Sequence, residues 1–327
     1  MDPRFLRSWT PILRPGILAG LVAIAVLAVG CAPGIPGPSA GPLKSATAEP
    51  VASSTGIQDG RTGSATSLPA AVTPDTTTGG PMAVAPAASD FPAGTWADPA
   101  IVLRVPILMY HVVGPGLDAP KELPDLVVPT AAFDAQMTAL SDAGWTTITM
   151  GQLAEDLRNG VRPPPRTFVV TVDDGHVDGL SIIVPILARL GFRATFYIVP
   201  GRLGHNGYLT QDQVRALVDA GMDVGNHTVH HLDLATLSAS RLYSEIGTAE
   251  SILGDMTGVD PVTLAYPYGQ ESAAAVDVTQ SIGVALAVTT QYGALENWAD
   301  RLTLPRVRIH GHSTAAEVLA AVAPYAG

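Results

Sequence analysis

The 327-residue chain has one cysteine, Cys31, which excludes an intramolecular disulfide framework and any zinc site built from several thiolates. Basic residues are scarce, with 18 Lys and Arg against 29 Asp and Glu for a formal net charge of −11. The five basic and five acidic residues up to Gly94 cancel. The remaining 13 basic and 24 acidic residues, and all eight histidines, lie beyond it. So acidic a block lacks the clustered Lys and Arg that phosphate binding needs, and nucleic acid is excluded as a partner. The sequence shows no internal repeat. No Gly-rich phosphate fingerprint follows the first β-rich run, and no apolar run reaches the roughly 20 residues of a membrane span.

What the N-terminus does have is an address. Arg4, Arg7 and Arg14 precede an apolar run from Ile17 to Val29 that ends in Ala28-Val29-Gly30-Cys31. A basic start, a short apolar core and small residues before a cut describe an export signal. The segment resembles a bacterial lipoprotein signal, which implies that Cys31 is lipidated and becomes the new N-terminus. Ala28 departs from the bulkier aliphatic residue usual at that position, and an uncleaved anchor helix is the alternative. Either way residues 1–31 place the rest outside the cytoplasm, tethered to a membrane. Residues 32–95 are Ala, Pro, Gly, Ser and Thr with scarcely a large apolar side chain. Such a stretch cannot bury enough surface to offset its ordering entropy, and the expectation is a semi-extended, disordered linker.

Residues 96–327 alternate strand and helix signals. Val105–Tyr110 reads as a buried strand, and Thr130 caps a helix through Phe133, Met137 and Leu140 that stops at Gly144. Residues 145–149 are β-rich, and a short helix through Leu153 and Leu157 ends before Pro163-Pro164-Pro165. Thr167–Val172 is a β-branched run without polar alternation, as a strand covered on both faces requires. A helix from Leu180 to Leu190, a strand over 194–199, and a helix opened by the capping box Thr210/Gln213 follow. Then come a strand at 222–224, an amphipathic helix through Leu242, Ile246, Ala249 and Leu253, a strand at 263–266, a helix at 276–282 and a strand at 284–289. Repeated alternation implies a parallel sheet with helices outside. At this length a (β/α) barrel fits better than two small domains, with a doubly wound open sheet as the alternative.

In a parallel β/α fold reactive residues gather at the C-terminal ends of strands, and three unusual clusters fall there. Asp173 and Asp174 end the run Thr171-Val172 and precede Gly175. Paired carboxylates at the mouth of a buried strand need partners, and alternating side-chain direction lets one bind a cation while the other stays available as a base. In His227-Thr228-Val229-His230-His231, His227 and His231 are four apart, so one helical turn puts both imidazoles on one side, although His230 is an alternative partner. Two histidines plus one carboxylate leave open positions on a divalent metal, the pattern of a catalytic site. Asp174 is the natural third ligand. The third cluster is Tyr266-Pro267-Tyr268-Gly269.

In order and spacing these clusters resemble the polysaccharide deacetylase family, carbohydrate esterase family four (the NodB-homology domain). The resemblance runs from about Val105 to the end. Val105–His111 and Leu304-Pro305-Arg306 are most similar to its poly-N-acetylglucosamine deacetylase branch. It implies a distorted (β/α) barrel that hydrolyses N-acetyl groups from an acetylated hexosamine polysaccharide. Asp174, His227 and His231 would hold a divalent ion, zinc first, with cobalt, nickel or iron also accepted by such ligands. Asp173 would be the general base. The backbone N–H of Tyr268, with Tyr266 and Pro267 beside it, would face the substrate and its oxyanion. The proton for the departing amine is divided between His111, at the end of the first strand, and His310, in the loose Leu-x-His counterpart Arg308-Ile309-His310. His176, His205, His230 and His312 are read as having no required role.

Some positions depart from the family pattern. The third motif begins with Ala265 where an Arg that pairs with the catalytic Asp is usual, and Arg306 is expected to supply that charge from another strand. Leu232 stands in place of a Pro and Val172 in place of a Phe. The fourth motif is reduced to Asn297-Trp298. The missing Arg keeps open a metal-retaining carbohydrate-binding protein without turnover. Motifs confined to the reaction centre keep open peptidoglycan de-N-acetylation and an O-acetyl esterase on a plant or cell-wall glycan.

Overall fold

The computed structural model describes residues 102–114 and 124–327. The expected export signal with Cys31, the expected linker over 32–95 and the first residues of the block expected from 96 lie outside the described residues.

The strands are β1 (Val102–Leu103), β2 (Ile107–Tyr110), β3 (Val112–Val113), β4 (Val127–Val128), β5 (Thr146–Ile148), β6 (Thr167–Val172), β7 (Thr195–Ile198), β8 (Asp223–Asn226), β9 (Thr263–Ala265), β10 (Leu286–Tyr292), β11 (Glu296–Asn297) and β12 (Leu304–Arg308). The helices are α1 (Thr130–Asp142), α2 (Met150–Asn159), α3 (Val184–Arg189), α4 (Gln211–Asp219), α5 (Ala239–Thr257), α6 (Ala273–Ile282) and α7 (Ala315–Val322). The main sheet runs β2-β12-β10-β9-β8-β7-β6, and β6 pairs back to β2, which closes seven parallel strands into a barrel. An eighth strand, β5, joins only the first half of β6, so Val169 is paired with Ile107 on one side and Ile148 on the other. From Thr171 onward β7 takes the place of β5. This wedge distorts the barrel, and the open sheet is thereby excluded.

β6 is the axis of the core. All six of its residues are buried, and Val and Phe side chains of this kind contribute roughly 1.5–3 kcal/mol each on burial. Phe168 meets Trp145 and Phe192 edge to face. Helix α4 carries the reciprocal Thr210/Gln213 capping box. The helix expected over 180–190 has a different form: Gly179–Ile183 is a π-turn that leads into α3. Pro185 lacks an N–H and cannot continue the ladder, and the wider turn lets Val184 N–H reach Gly179 instead. Helix α1 begins at Thr130 after Pro129, so Thr130 is its first residue and does not cap it.

Strand β12, the other strand from which Arg306 was expected, contains Pro305, and proline is normally confined to strand edges or bulges. It is nonetheless paired on both sides, with β10 and β2. The proline is accommodated where β10 shifts register between Val288 and Tyr292, beside Gly293. The short strands β1 and β11 pair antiparallel, outside the barrel sheet.

Candidate active site

The site lies at the C-terminal ends of the barrel strands, in a cleft of about 190 Å³ whose lining includes His111, Asp173, Asp174, His227 and His231. A larger cavity of about 550 Å³ borders Arg104, Pro163–Pro165 and Thr167. Because Thr167 opens β6, that cavity lies at the opposite end of the strand from the paired carboxylates.

Asp173 and Asp174 leave β6 in a turn where Asp174 (φ 78°) and Gly175 (φ 79°) are both left-handed. This backbone reversal, added to the alternation of an extended chain, aims the two carboxylates at different targets. Asp173 is buried and meets the Arg306 guanidinium in a two-pronged ion pair, Nη1 to Oδ1 and Nη2 to Oδ2, both 2.8 Å. Arg306 also donates to Thr171 Oγ1 (3.0 Å) and the Thr289 carbonyl (2.8 Å), so its own donors are satisfied inside the barrel. Burial pushes the Asp173 carboxyl up, but the Arg306 charge and hydrogen bonds prevail and hold it below the usual carboxylate range. The arginine absent at Ala265 is thus supplied from β12.

Asp174 Oδ1 lies 3.3 Å from His231 Nε2 and 3.9 Å from His227 Nε2, and one ligand atom from each of the three residues falls within 4.8 Å of the others. His227 Nδ1 lies 2.7 Å from the Ala265 carbonyl oxygen. That acceptor requires the proton on Nδ1 and leaves the Nε2 lone pair directed at the site, the usual second contact of a metal-ligating histidine. Burial lowers the His231 pKa to about 3, so its imidazole is neutral and able to ligate. Burial opposes ionisation of Asp174, yet the surrounding imidazoles of His176, His227, His111 and His231 hold it far below the carboxylate range. Two neutral imidazole nitrogens and one carboxylate oxygen, converging and deprotonated, fit a zinc-like ion.

The histidine pair is not brought together by a helix, as four-residue spacing suggested. Residues 227–231 form a loop with left-handed backbone at Thr228 (φ 64°) and His231 (φ 57°). Its shape is imposed from outside. Asn226 accepts from Thr228 N–H, and Thr228 Oγ1 from His231 N–H. The buried Glu245 of α5 accepts from the His230 backbone N–H (2.9 Å) and lies 2.9 Å from its Nδ1. His230 therefore turns to α5, and the cleft receives His227 and His231. Gly201 lets the loop approach closely, since a Cβ there would stand 2.4 Å from the Val229 carbonyl oxygen.

His111 Nε2 lies 3.8 Å from Asp173 Oδ2. Burial lowers its pKa, opposed by the two aspartates and reinforced by Arg306 and Arg308. His310 is not among the residues lining the cleft. Its Nδ1 lies 2.6 Å from Asp125 Oδ2, and His312 Nδ1 lies 3.1 Å from the other oxygen of that exposed carboxylate. Of the two candidates for the amine's proton, the structure places only His111 beside the aspartate. Tyr268 (φ 60°) stands exposed at the rim with its ring edge-on to His231, centroids 4.7 Å apart. Tyr266 borders the cleft, but its hydroxyl turns to Thr279 of α6, and buried Pro267 shapes the turn without lining the cleft. Trp298 packs in the core cluster of Leu103 and Ile107 and not at the cleft.

Residues passed over in the sequence also line the cleft. His176 is buried, stacks on Tyr208 and lies 3.8 Å from Asp174 Oδ2. Arg202, from the turn after β7, donates to Asp174 Oδ1 at 3.0 Å. Arg308 ends β12. Only His176 had a local signal, its place three residues beyond Asp173.

Residues 160–287 match the family model described as polysaccharide deacetylase. The polysaccharide deacetylase YxkH of Bacillus subtilis is 28% identical over 206 residues, 63% of this chain and 71% of its own length. A chitin deacetylase of Pestalotiopsis is 31% identical over 119 residues, 36% of this chain and 40% of that relative. Among solved structures, the Streptococcus pyogenes deacetylase PplD, in complex with acetate, superposes with a TM-score of 0.63 at 26% identity, covering 68% of this chain and 99% of that one. With the barrel and the motif residues at its mouth, these likenesses mark residues 160–287 as a polysaccharide deacetylase domain.

Proposed function

We propose that this deacetylase is a metal-dependent hydrolase that removes N-acetyl groups from N-acetylglucosamine-containing polysaccharide, with zinc held by Asp174, His227 and His231. The observation that carries the reading is the convergence of those three ligand atoms beside a second carboxylate, Asp173, kept ionised by a buried arginine. The relative named chitin deacetylase supports an acetylated glycan as the substrate class.

When bound, such an ion supplies Lewis acidity and lowers the pKa of a water from 15.7 to about 7. The chain's own groups do the rest. Asp173, ionised across the neutral range, accepts the proton of the attacking water. Its Arg306 clamp fixes the carboxylate's orientation and keeps the base ready, at some cost in basicity. His111, 3.8 Å from Asp173, is placed to take the water's proton from Asp173 and pass it to the departing amine. Tyr268 at the rim offers its backbone N–H to the oxyanion. The small cleft takes an acetamido group and excludes most water, while the polymer lies outside it. We further propose that lipidated Cys31 tethers the enzyme outside the cytoplasm, a reading supported by the sequence of residues 1–31 alone.

The test is acetate release by zinc-loaded protein from N-acetylglucosamine oligomers, with O-acetylated xylan in parallel. Release from the first and not the second is the expected result. Release from xylan alone would make the enzyme an esterase, and none from either would leave a binding protein.

A further inference from the structure

Among the described residues, the two carboxylates of the cleft each have an arginine partner. Asp173 is neutralised by Arg306 and Asp174 by Arg202. A third arginine, Arg308, lines the same cleft, and its guanidinium makes no hydrogen bond or ion pair among the described residues. Its position follows from the strand. Arg306 and Arg308 are two apart on β12, so both side chains leave the same face, and Arg308 stands about 7 Å nearer the mouth. The nearby acid Asp125, beside the lining residue Leu126, is taken by His310 and His312. A bound divalent cation would add further positive charge and would compete with Arg202 for Asp174. With Asp173 and Asp174 each paired to another arginine, Arg308 is the guanidinium in the cleft left to attract an anion.

We infer that the glycan taken by this cleft carries a carboxylate on or next to the acetylated hexosamine, and that Arg308 is its specificity-determining contact. The inference rests on the proposed deacetylation and deepens it. A neutral acetylated polymer gives Arg308 nothing to pair with, and a half-buried guanidinium facing an uncharged sugar loses hydration without return. A carboxylate fits its planar fork in two parallel hydrogen bonds, with Arg202 as a second cation across the cleft.

The experiment uses zinc-loaded full-length protein and one oligosaccharide in two forms. An N-acetylhexosamine oligomer bearing 3-O-lactyl groups is offered with its carboxylates free or converted to methyl esters, which keep the shape and remove the charge. For the wild-type chain we expect kcat/KM about tenfold or more higher on the free acid. Arg308→Gln should bring the acid-to-ester ratio close to one, and Arg308→Lys should restore part of it. A wild-type ratio near one would overturn the inference. So would an Arg308→Gln variant that loses rate equally on both forms, because the guanidinium would then serve the reaction centre. If no acetate is released from either form, the proposed activity fails, and the acid-to-ester ratio of binding constants from titration calorimetry still decides the inference.

Discussion

Replacing Arg306 with Met leaves Asp173 as a carboxylate only 2% exposed with its two-pronged partner gone. Breaking a buried ion pair by removing one member costs about 3–5 kcal/mol, because the surviving charge is stranded. For a domain of this size each kcal/mol is worth roughly 2–4 °C in Tm, so the variant should melt about 6–20 °C lower. The pH dependence gives the sharper test. In the wild-type chain the Asp173 pKa is depressed, so its stabilising contribution is complete above the unfolded value of about 4 and is lost as pH falls through the folded value. Without Arg306, burial prevails and the folded pKa rises above the unfolded one, so the variant loses stability as pH climbs from about 4 towards neutrality. The gap between the two proteins should therefore be widest near pH 7 and narrow towards pH 4. Urea denaturation at a series of pH values measures it. Adding Asp173→Asn to Arg306→Met should recover part of the loss at pH 7, since no charge is then buried. A cost below about 1 kcal/mol at pH 7, with no recovery in the double variant, would refute Arg306 as the counter-charge.

The remaining expectations separate the roles within the cleft. Asp173→Asn should abolish acetate release while zinc content stays near wild type, whereas His227→Ala should lower bound zinc by mass spectrometry of the native protein; the reverse pattern would exchange their roles. His111→Gln should lower kcat by about 10²–10⁴-fold if it moves the amine's proton, and His310→Gln should leave kcat within about twofold, because Asp125 and not the cleft holds that ring. Glu250 receives Asn226 Nδ2 at 2.8 Å, and burial pushes its carboxyl up to about 7. Its folded pKa thus lies above the unfolded one, so stability should fall as pH rises from about 4.5 to 7. Glu250→Gln should flatten that fall by about 1–3 kcal/mol, and an unchanged slope in chemical denaturation would exclude Glu250 as its source.

Strand–helix alternation was legible because buried β-branched runs such as Thr167–Val172 and amphipathic faces such as Leu242–Leu253 are local patterns with fixed periods. The carboxylate pair and the histidine pair were legible for a related reason: each is contiguous, and each ends a strand. That Arg306 stands on another strand was legible, but the extent of β12 was not, since its Pro305 is tolerated through an irregularity in the neighbouring strand β10. The shape of the histidine loop was hidden too, since spacing of four suggests a helix and the left-handed turns at Thr228 and His231 are held by α5 and Asn226.

The sequence by itself pointed to the polysaccharide deacetylase domain, the parallel β/α architecture and the carboxylate and histidine clusters that meet in the cleft, because those rest on side-chain patterns at short range along the chain. Tertiary structure brings together charges that stand far apart in the sequence. Arg306 lies 133 residues from Asp173, Arg202 is 28 residues from Asp174, and Asp125 claims His310 across 185 residues. Closing a barrel brings strands distant in sequence side by side; the gap at Ala265 pointed to Arg306 as the partner of Asp173, but no local pattern recorded that Arg202 meets Asp174 or that Arg308 stands in the cleft.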